Sequence, residues 1–127
     1  MPSSDPGAGR HCDTAAIGRS FEMLAGQFFR QQGFEVLCQN YRVGRLEIDL
    51  IVRRENLIVF VEVKSASSMK YGHPAERVDQ RKVANLTHAA QQFLRQEDCA
   101  DCDFRFDVVT FVKGQLEYFP AAFEASE

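Results

Sequence analysis

Four ionisable residues lie within two apolar segments of the sequence, in the stretch EIDLIVRRENLIVFVEVKS (47–65). They are Glu47 and Asp49 in the first segment and Glu62 and Lys64 in the second. Carboxylates are ligands that Mg²⁺ prefers, and a lysine can orient a nucleophilic water or stabilise developing negative charge. These residue types therefore indicate metal-assisted hydrolysis, provided that the fold brings the four groups together.

A β-hairpin with a two-residue loop at 55–56 would bring them together. With that loop, the numbers of opposed residues sum to 111, so Asp49 lies opposite Glu62 and Glu47 lies opposite Lys64. A slip of one residue would move the apolar side chains of one strand to the wrong face, so the pattern selects this pairing. The apolar face is predicted to comprise Leu46, Ile48, Leu50, Val52, Leu57, Val59, Val61 and Val63.

The predicted pairing opposes two carboxylates in an apolar setting, where they repel each other. Without a counter-ion, the pair would raise its pKa or destabilise the sheet. Mg²⁺ or Mn²⁺ between Asp49 and Glu62 would resolve the conflict, with Lys64 beside it. The alternative is a structural ion network of Glu47, Asp49 and Lys64 at the edge of a sheet.

Other charged residues lie on the elements that would flank this hairpin. Glu22, on the predicted first helix, would add a third carboxylate if its side borders the hairpin; a solvated glutamate is the alternative. Lys82 lies in the first turn of the predicted second helix, where a base opposes the helix dipole, so it indicates an anionic partner or an ordinary surface lysine. Candidate phosphate contacts are Arg42, Arg45, Lys70, Arg77, Arg81 and Lys82.

The hydrophobic pattern predicts an α/β fold with a central mixed sheet and the element order αβββαββ. The first helix runs from Asp13 or Thr14 to about Gln32, with its apolar stripe at Ile17, Phe21, Leu24 and Phe28. Asp79 caps the second helix, whose core face is Val83, Leu86, Ala90, Phe93 and Leu94. The predicted strands are 34–41, 46–53, 57–64, 103–112 and 115–119. Residues 1–12 are predicted to be a disordered lead-in to a single domain at 13–127.

The charge distribution is compatible with a nucleic-acid surface. The net charge is −3, yet residues 97–127 hold eight acids and two bases, which leaves a basic excess in the rest of the chain. No apolar run is long enough to span a membrane, and the N-terminal residues lack the apolar core of a signal peptide, so we expect a cytoplasmic protein without a membrane partner. Cys99 and Cys102 have the spacing of half a zinc site, but a polar loop is the simpler interpretation.

The residues described so far resemble a known family. Asp49 followed by Glu62-Val63-Lys64, after a helix with Glu22, resembles the signature of the restriction-endonuclease-like PD-(D/E)XK superfamily. More closely, the chain resembles the YraN family (uncharacterised protein family 0102), bacterial proteins similar to archaeal Holliday-junction resolvases. The matching segments, over about residues 14–123, are Gly18 to Glu22, Gly33-Phe34, Asn40-Tyr41-Arg42, EIDLI, VFVEVK, Lys82, RFDVV (105–109) and Ala122-Phe123.

The resemblance implies a restriction-endonuclease-like core and a role for each matching residue. Asp49, Glu62 and the backbone carbonyl of Val63 would bind Mg²⁺ or Mn²⁺, Lys64 would be the catalytic lysine, and Glu22 would be an accessory acid. Glu47 is a further accessory candidate. The chain departs from the family pattern at two positions. The family usually has glycine at the position of Phe21 and often has glycine at the position of Leu46.

The sequence thus predicts a metal-dependent endonuclease that hydrolyses DNA, with branched or junction DNA and a homodimer as further expectations from the resemblance. A non-cleaving nucleic-acid-binding or interaction module on the same fold is the alternative. A metal-free hydrolase that uses two carboxylates is a third interpretation, which the neighbouring lysine and the opposed acids favour less.

Overall fold

The computed structural model of the protein describes residues 20–66 and 80–123. The predicted lead-in, Ile17 and the predicted N-caps of both helices lie outside these residues. The predicted element order is confirmed. The elements are α1 (Ser20–Gln31), β1 (Glu35–Val43), β2 (Leu46–Arg54), β3 (Leu57–Ala66), α2 (Gln80–Gln96), β4 (Asp103–Val112) and β5 (Gln115–Phe123).

The five strands form one mixed sheet in which each strand lies beside its neighbours in the sequence. β3 and β4 are parallel, whereas the other three neighbouring pairs are antiparallel. α2 connects the parallel pair, because parallel strands cannot be joined by a tight turn. The α/β fold class with a central mixed sheet is therefore confirmed.

Two hydrophobic clusters cover opposite faces of the sheet, since neighbouring residues of a strand point to opposite sides. Ile51 packs in the cluster that contains α2, and Val52 packs in the cluster that contains α1. The predicted core face of α2 is buried along its whole length. Within the described ranges, no helix is long and apolar enough to cross a membrane.

The face through which α1 packs only partly matches the predicted stripe, from which Phe28 packs against the cluster that contains α1. Leu24 is 45% exposed and Phe21 is 37% exposed, whereas Ala25 and Phe29 are fully buried. The helix is apolar on both sides, so spacing alone could not select the buried face. The small Ala25 allows the helix to approach the sheet closely, and this packing selects the face. Glu22 shares that face, three residues before Ala25, and is therefore turned towards the sheet.

β2 changes sides in its middle, at Asp49. Ile48 belongs to the α2-side cluster, but Leu50 belongs to the α1-side cluster. In a regular strand, two residues separated by one would share a face. The prediction that the apolar residues of 46–52 share one face is therefore wrong, because the strand is irregular between Ile48 and Leu50.

β1 has a matching irregularity beside Asp49. Cys38 and Tyr41, three residues apart, both pack in the α2-side cluster. Between them, Asn40 takes a left-handed backbone conformation with φ of 55°. Its side chain is buried, and neither amide atom has a hydrogen-bond partner among the described residues. The two neighbouring strands thus shift phase together, next to the charged end of the hairpin.

Candidate metal and nucleic-acid binding site

An open pocket of ≈530 Å³ lies where the charged ends of β2 and β3 meet the first turn of α2. Glu47, Asp49, Glu62 and Lys64 all line it. The four ionisable residues of the hairpin therefore converge on one space. A volume of this size is typical of pockets that bind small ligands or parts of larger ones.

Asp49 lies where the ladder between β2 and β3 ends. The ladder follows the predicted register from Arg54 opposite Leu57 to Leu50 opposite Val61. Beyond that point, the prediction of Asp49 and Glu62 as directly paired residues is wrong, because Asp49 is not in the ladder.

The Asp49 side chain replaces a backbone acceptor at this position. The backbone N–H of Val63 donates a hydrogen bond to Asp49 Oδ2 over 2.8 Å. The N–H and C=O of one residue in a strand point to the same side, so the Val63 carbonyl also faces β2. The end of the ladder thus leaves a carboxylate and a backbone carbonyl side by side at the pocket.

Asp49 has a strongly perturbed acidity. Burial raises its pKa from 3.8 to about 7, and the charge of Glu62 is the second cause. The Val63 N–H opposes the rise, while the charges of Glu22 and Glu47 add to it. Glu22, half-buried on α1, therefore lies near enough to act on Asp49, although it does not line the pocket. Perturbed carboxylates of this kind are typical of functional sites.

Glu62 forms an ion pair with Lys82 from the opposite wall of the pocket. Lys82 Nζ lies 2.5 Å from Glu62 Oε2, and the side chains are 41% and 7% exposed, respectively. Burial lowers the pKa of Lys82, but the hydrogen bond and charge of Glu62 and the charge of Asp49 outweigh it and raise the pKa above its usual value. The interpretation of Lys82 as an ordinary surface lysine is therefore wrong, since the side chain reaches a buried carboxylate.

Glu47 is paired across the other side of β2. Arg42 lies opposite Glu47 in the β1–β2 ladder, and its guanidinium is 3.7 Å from the carboxylate. The predicted pair of Glu47 and Lys64 is not in the β2–β3 ladder. Arg42 does not line the pocket, so it contributes to the site through Glu47.

The other predicted phosphate contacts divide into two groups. Arg45, Arg81 and Lys82 line the pocket, and both arginines are exposed. Lys70 and Arg77 lie outside the described residues. The structure adds Asn85, which lies on the same helix face as Lys82, three residues further along α2. The sequence reasoning missed Asn85, which helical spacing indicates only once Lys82 is known to line the pocket.

The donor set of the pocket suits a small, hard cation. Asp49 and Glu62 supply carboxylate oxygens, and Val63, which also lines the pocket, has a backbone carbonyl on its β2 side. Within residues 20–66 and 80–123, no three or more His, Cys, Asp or Glu side chains form a group that could hold a metal ion. Two carboxylates are nevertheless a usual complement for Mg²⁺, which keeps several waters. The Lys82 ammonium, in contact with Glu62, shows that this position accepts a cation.

Cys99 and Cys102 lie away from this pocket, in a turn after α2. Both thiols are free, and Cys102 N donates a hydrogen bond to the Cys99 carbonyl over 2.9 Å. Arg53 contacts both sulfurs, at 3.4 and 3.9 Å. A cation against the two sulfurs fits a polar turn better than half of a zinc site.

The chain is similar to members of one protein family from several organisms. The model of the family described as "Uncharacterised protein family UPF0102" matches residues 21–111. A UPF0102 protein of Chloroherpeton thalassium is 42% identical over 76% of this chain and 75% of its own length. A UPF0102 protein of Acetivibrio thermocellus is 44% identical over 74% of this chain and 73% of its own length. A UPF0102 protein of Rhodopirellula baltica is 38% identical over 89% of this chain and 73% of its own length.

Proposed function

The chain belongs to uncharacterised protein family UPF0102, and we propose from its pocket that it is a metal-dependent nuclease that hydrolyses phosphodiester bonds in DNA. One observation carries the proposal. Asp49, Glu62 and Lys64 come from two different strands, yet they line one open pocket together with Arg45, Arg81 and Lys82. Two carboxylates, a lysine and a basic rim are groups suited to metal-assisted hydrolysis of a phosphodiester.

Asp49 and Glu62, with the Val63 carbonyl, would hold Mg²⁺ or Mn²⁺. The hydrogen bond from the Val63 N–H engages Oδ2 of Asp49, which lines the pocket, and does not use its second oxygen. When bound, the ion supplies charge that polarises a phosphoryl oxygen and lowers the pKa of a coordinated water. The residues fit such an ion because their oxygens are hard ligands and Glu62 already contacts a cation.

Lys64 would act on the reacting phosphate. It follows Glu62 by two residues, lines the same pocket and is half-buried. A half-buried ammonium interacts more strongly with developing negative charge than an exposed one, since solvent screens it less. Its role would be to donate a hydrogen bond to a phosphoryl oxygen or to orient the attacking water.

The basic rim would hold the DNA backbone. Arg45 at the β1–β2 turn and Arg81 at the start of α2 are exposed and stand on two sides of the pocket. Exposed arginines can form bidentate hydrogen bonds with phosphate oxygens, and these contacts do not depend on the base sequence. The rim therefore supports an enzyme that binds the DNA backbone. Its action in the cytoplasm is a separate part of the proposal. A two-fold branched substrate would further require a homodimer.

A non-cleaving binding module is the alternative, and one observation favours it. Glu62 is paired with Lys82 and Glu47 with Arg42, so the charges form the kind of network that also occurs for purely structural reasons. In that case, the basic rim would bind nucleic acid and the acids would only maintain the end of the sheet.

Cleavage assays with two variants distinguish the two functions. Purified protein is incubated with single-stranded, duplex and branched DNA in Mg²⁺ or Mn²⁺, alongside Asp49→Asn and Lys64→Ala. If the protein is a nuclease, the wild type cleaves DNA and both variants lose cleavage. A separate measurement of the molar mass in solution shows whether the protein is a dimer. DNA binding by all three forms without cleavage by any of them would refute the nuclease and support the binding module.

A further inference from the structure

Lys82 occupies an unfavourable position for a lysine, at the start of α2. The first turn of a helix favours negative charge, and α2 has no acid there. Its side chain instead spans the pocket to Glu62, which is 7% exposed. The contact with Glu62, not the helix, therefore explains the position of this ammonium.

The buried acids need a cation. Asp49 and Glu62 lie close enough to repel each other, and both are largely removed from water. An ionised carboxylate in such a place is costly unless it is paired. Lys82 supplies the opposite charge to Glu62 in the protein as it stands.

We propose that Lys82 is a tethered counter-ion that competes with the divalent metal for Glu62 and is released onto the substrate when the metal binds. The proposal rests on the metal-dependent function above and describes how that site is regulated. Glu62 Oε2 is in contact with the ammonium, and a divalent ion that takes this oxygen would repel the lysine.

The pocket around Lys82 offers a second position for its side chain after release from Glu62. The side chain is 41% exposed and lines the same pocket as Arg81, its neighbour on α2. An ammonium that leaves Glu62 thus moves within an open basic rim, where a backbone phosphate would bind. Metal and DNA would then favour each other's binding, because each stabilises the state in which Lys82 has left the carboxylate.

Metal binding without catalysis tests this exchange. The affinity for Mn²⁺ is measured by titration, with the free ion followed by electron paramagnetic resonance, in the wild type, Lys82→Met, Lys82→Arg, Arg81→Met and Asp49→Asn. Lys82→Met keeps a long side chain and removes the charge. Lys82→Arg keeps the charge, and Arg81→Met removes a neighbouring charge of the same pocket that does not pair with Glu62.

Lys82→Met is expected to bind Mn²⁺ roughly 5- to 100-fold more tightly than the wild type, a typical range for coupling between two ligands. Lys82→Arg should stay close to the wild type and Arg81→Met should change the affinity much less, since neither removes the competing ion. The effect of duplex DNA is measured in the Lys64→Ala background, which is expected to bind Mn²⁺ without cleaving the DNA. There, DNA should tighten Mn²⁺ binding more when residue 82 is lysine than when Lys82→Met is added.

A thermal melt of each variant supplies a readout that does not depend on the titration. Lys82→Met leaves Glu62 without its ion pair, so its melting temperature should be lower without metal and should rise more with Mg²⁺ than that of the wild type. A variant that melts without a cooperative transition is replaced by Lys82→Gln.

The outcomes separate this proposal from the function on which it rests. If the wild type binds Mn²⁺ and Lys82→Met binds it equally or less tightly, Lys82 is not a competing counter-ion, and the metal-dependent function stands. If no form binds Mn²⁺ with or without DNA, the metal-dependent function is overturned and the exchange with it. Binding lost in Asp49→Asn alone confirms that the measured site is this pocket.

Discussion

The backbone N–H of Val63 donates its hydrogen bond to the Asp49 carboxylate, over 2.8 Å, and not to a backbone carbonyl of β2. A side chain thereby takes over the last position of the ladder between two central strands. Its immediate result is that a half-buried carboxylate is held at a fixed place near Glu62. This hydrogen bond therefore connects the end of the β2–β3 ladder with a residue of the candidate site.

Protonation of Asp49 should make the stability of the protein depend on pH. The pKa of Asp49 in the folded protein is about 7, well above that of an aspartate in an unfolded chain. The folded state therefore binds more protons between about pH 4 and 7, and its free energy of unfolding falls as pH rises through that window. The expected loss reaches up to roughly 4 kcal/mol.

Asp49→Asn isolates this contribution, because an asparagine oxygen can still accept the Val63 hydrogen bond. In metal-free buffer, urea unfolding of both proteins from pH 4 to 8 should show the wild type losing stability relative to the variant. Equal pH dependence of the two proteins would show that Asp49 ionises normally.

Lys64→Ala should abolish most cleavage and keep metal binding. Removing one group that stabilises developing charge typically lowers kcat by roughly 10²- to 10³-fold. The affinity for Mn²⁺ should stay within a few-fold, since lysine is not a ligand. Lys113→Ala, an exposed lysine in the turn after β4, is the matched control and should cleave like the wild type. Parallel loss of metal binding and cleavage would assign Lys64 to the structure of the site.

Arg81→Ala should weaken DNA binding and flatten its salt dependence. Each phosphate contact that is lost reduces the slope of log K against log salt concentration by about one. Fluorescence anisotropy at several salt concentrations measures this slope. Arg95→Ala, near the other end of the same helix, is the control because Arg95 is exposed and bonds Gln92. An unchanged slope for Arg81→Ala would place DNA elsewhere on the protein.

Asp107 should be important for stability and unimportant for metal binding. It is fully buried and accepts hydrogen bonds from Arg105, from the hydroxyl of Tyr118 and from the backbone N–H of Ala121. These bonds hold β5 against β4 where their register shifts.

Asp107→Ala would remove the ion pair with Arg105 and leave the Tyr118 hydroxyl and the Ala121 N–H without this acceptor, and should cost about 3–5 kcal/mol of unfolding free energy. Tyr118→Phe removes the hydrogen bond that the hydroxyl donates to Asp107 and the one that it accepts from Arg105, and should cost about 1.5–3 kcal/mol. Chemical denaturation measures both losses, and Mn²⁺ titration of folded Tyr118→Phe should give the wild-type affinity. A wild-type unfolding free energy for Tyr118→Phe would show that this bond contributes little.

Much of the fold could be predicted because its signals are local. β4 begins and ends at the predicted residues, and both residues of the predicted turn at Lys113-Gly114 have positive φ. The register of β2 and β3 is confirmed wherever they form a ladder, since alternating apolar residues and a two-residue loop permit one pairing. The core face of α2 is confirmed for the same reason, because its 3.6-residue period is clear.

The candidate site was only partly predictable. The sequence indicated which residues had unusual charge for their setting, and Asp49, Glu62 and Lys64 do line one pocket. It did not indicate that Lys82, twenty residues away along the chain, reaches Glu62, because no local pattern encodes a contact between a helix and a distant strand. Asn85 follows only once the position of Lys82 in the pocket is known.

The sequence by itself determined the elements, their order and the charged residues within the hairpin. Only the tertiary structure decided which face of α1 is buried, where β2 changes sides and where the ladder of β2 and β3 ends. Those features depend on the packing of two helices against opposite faces of one sheet. The burial of Ala25 and of Asn40 is a property of the packed core and not of the local sequence. The strands separate at Asp49, and this separation, absent from any local pattern, is what makes room for a site.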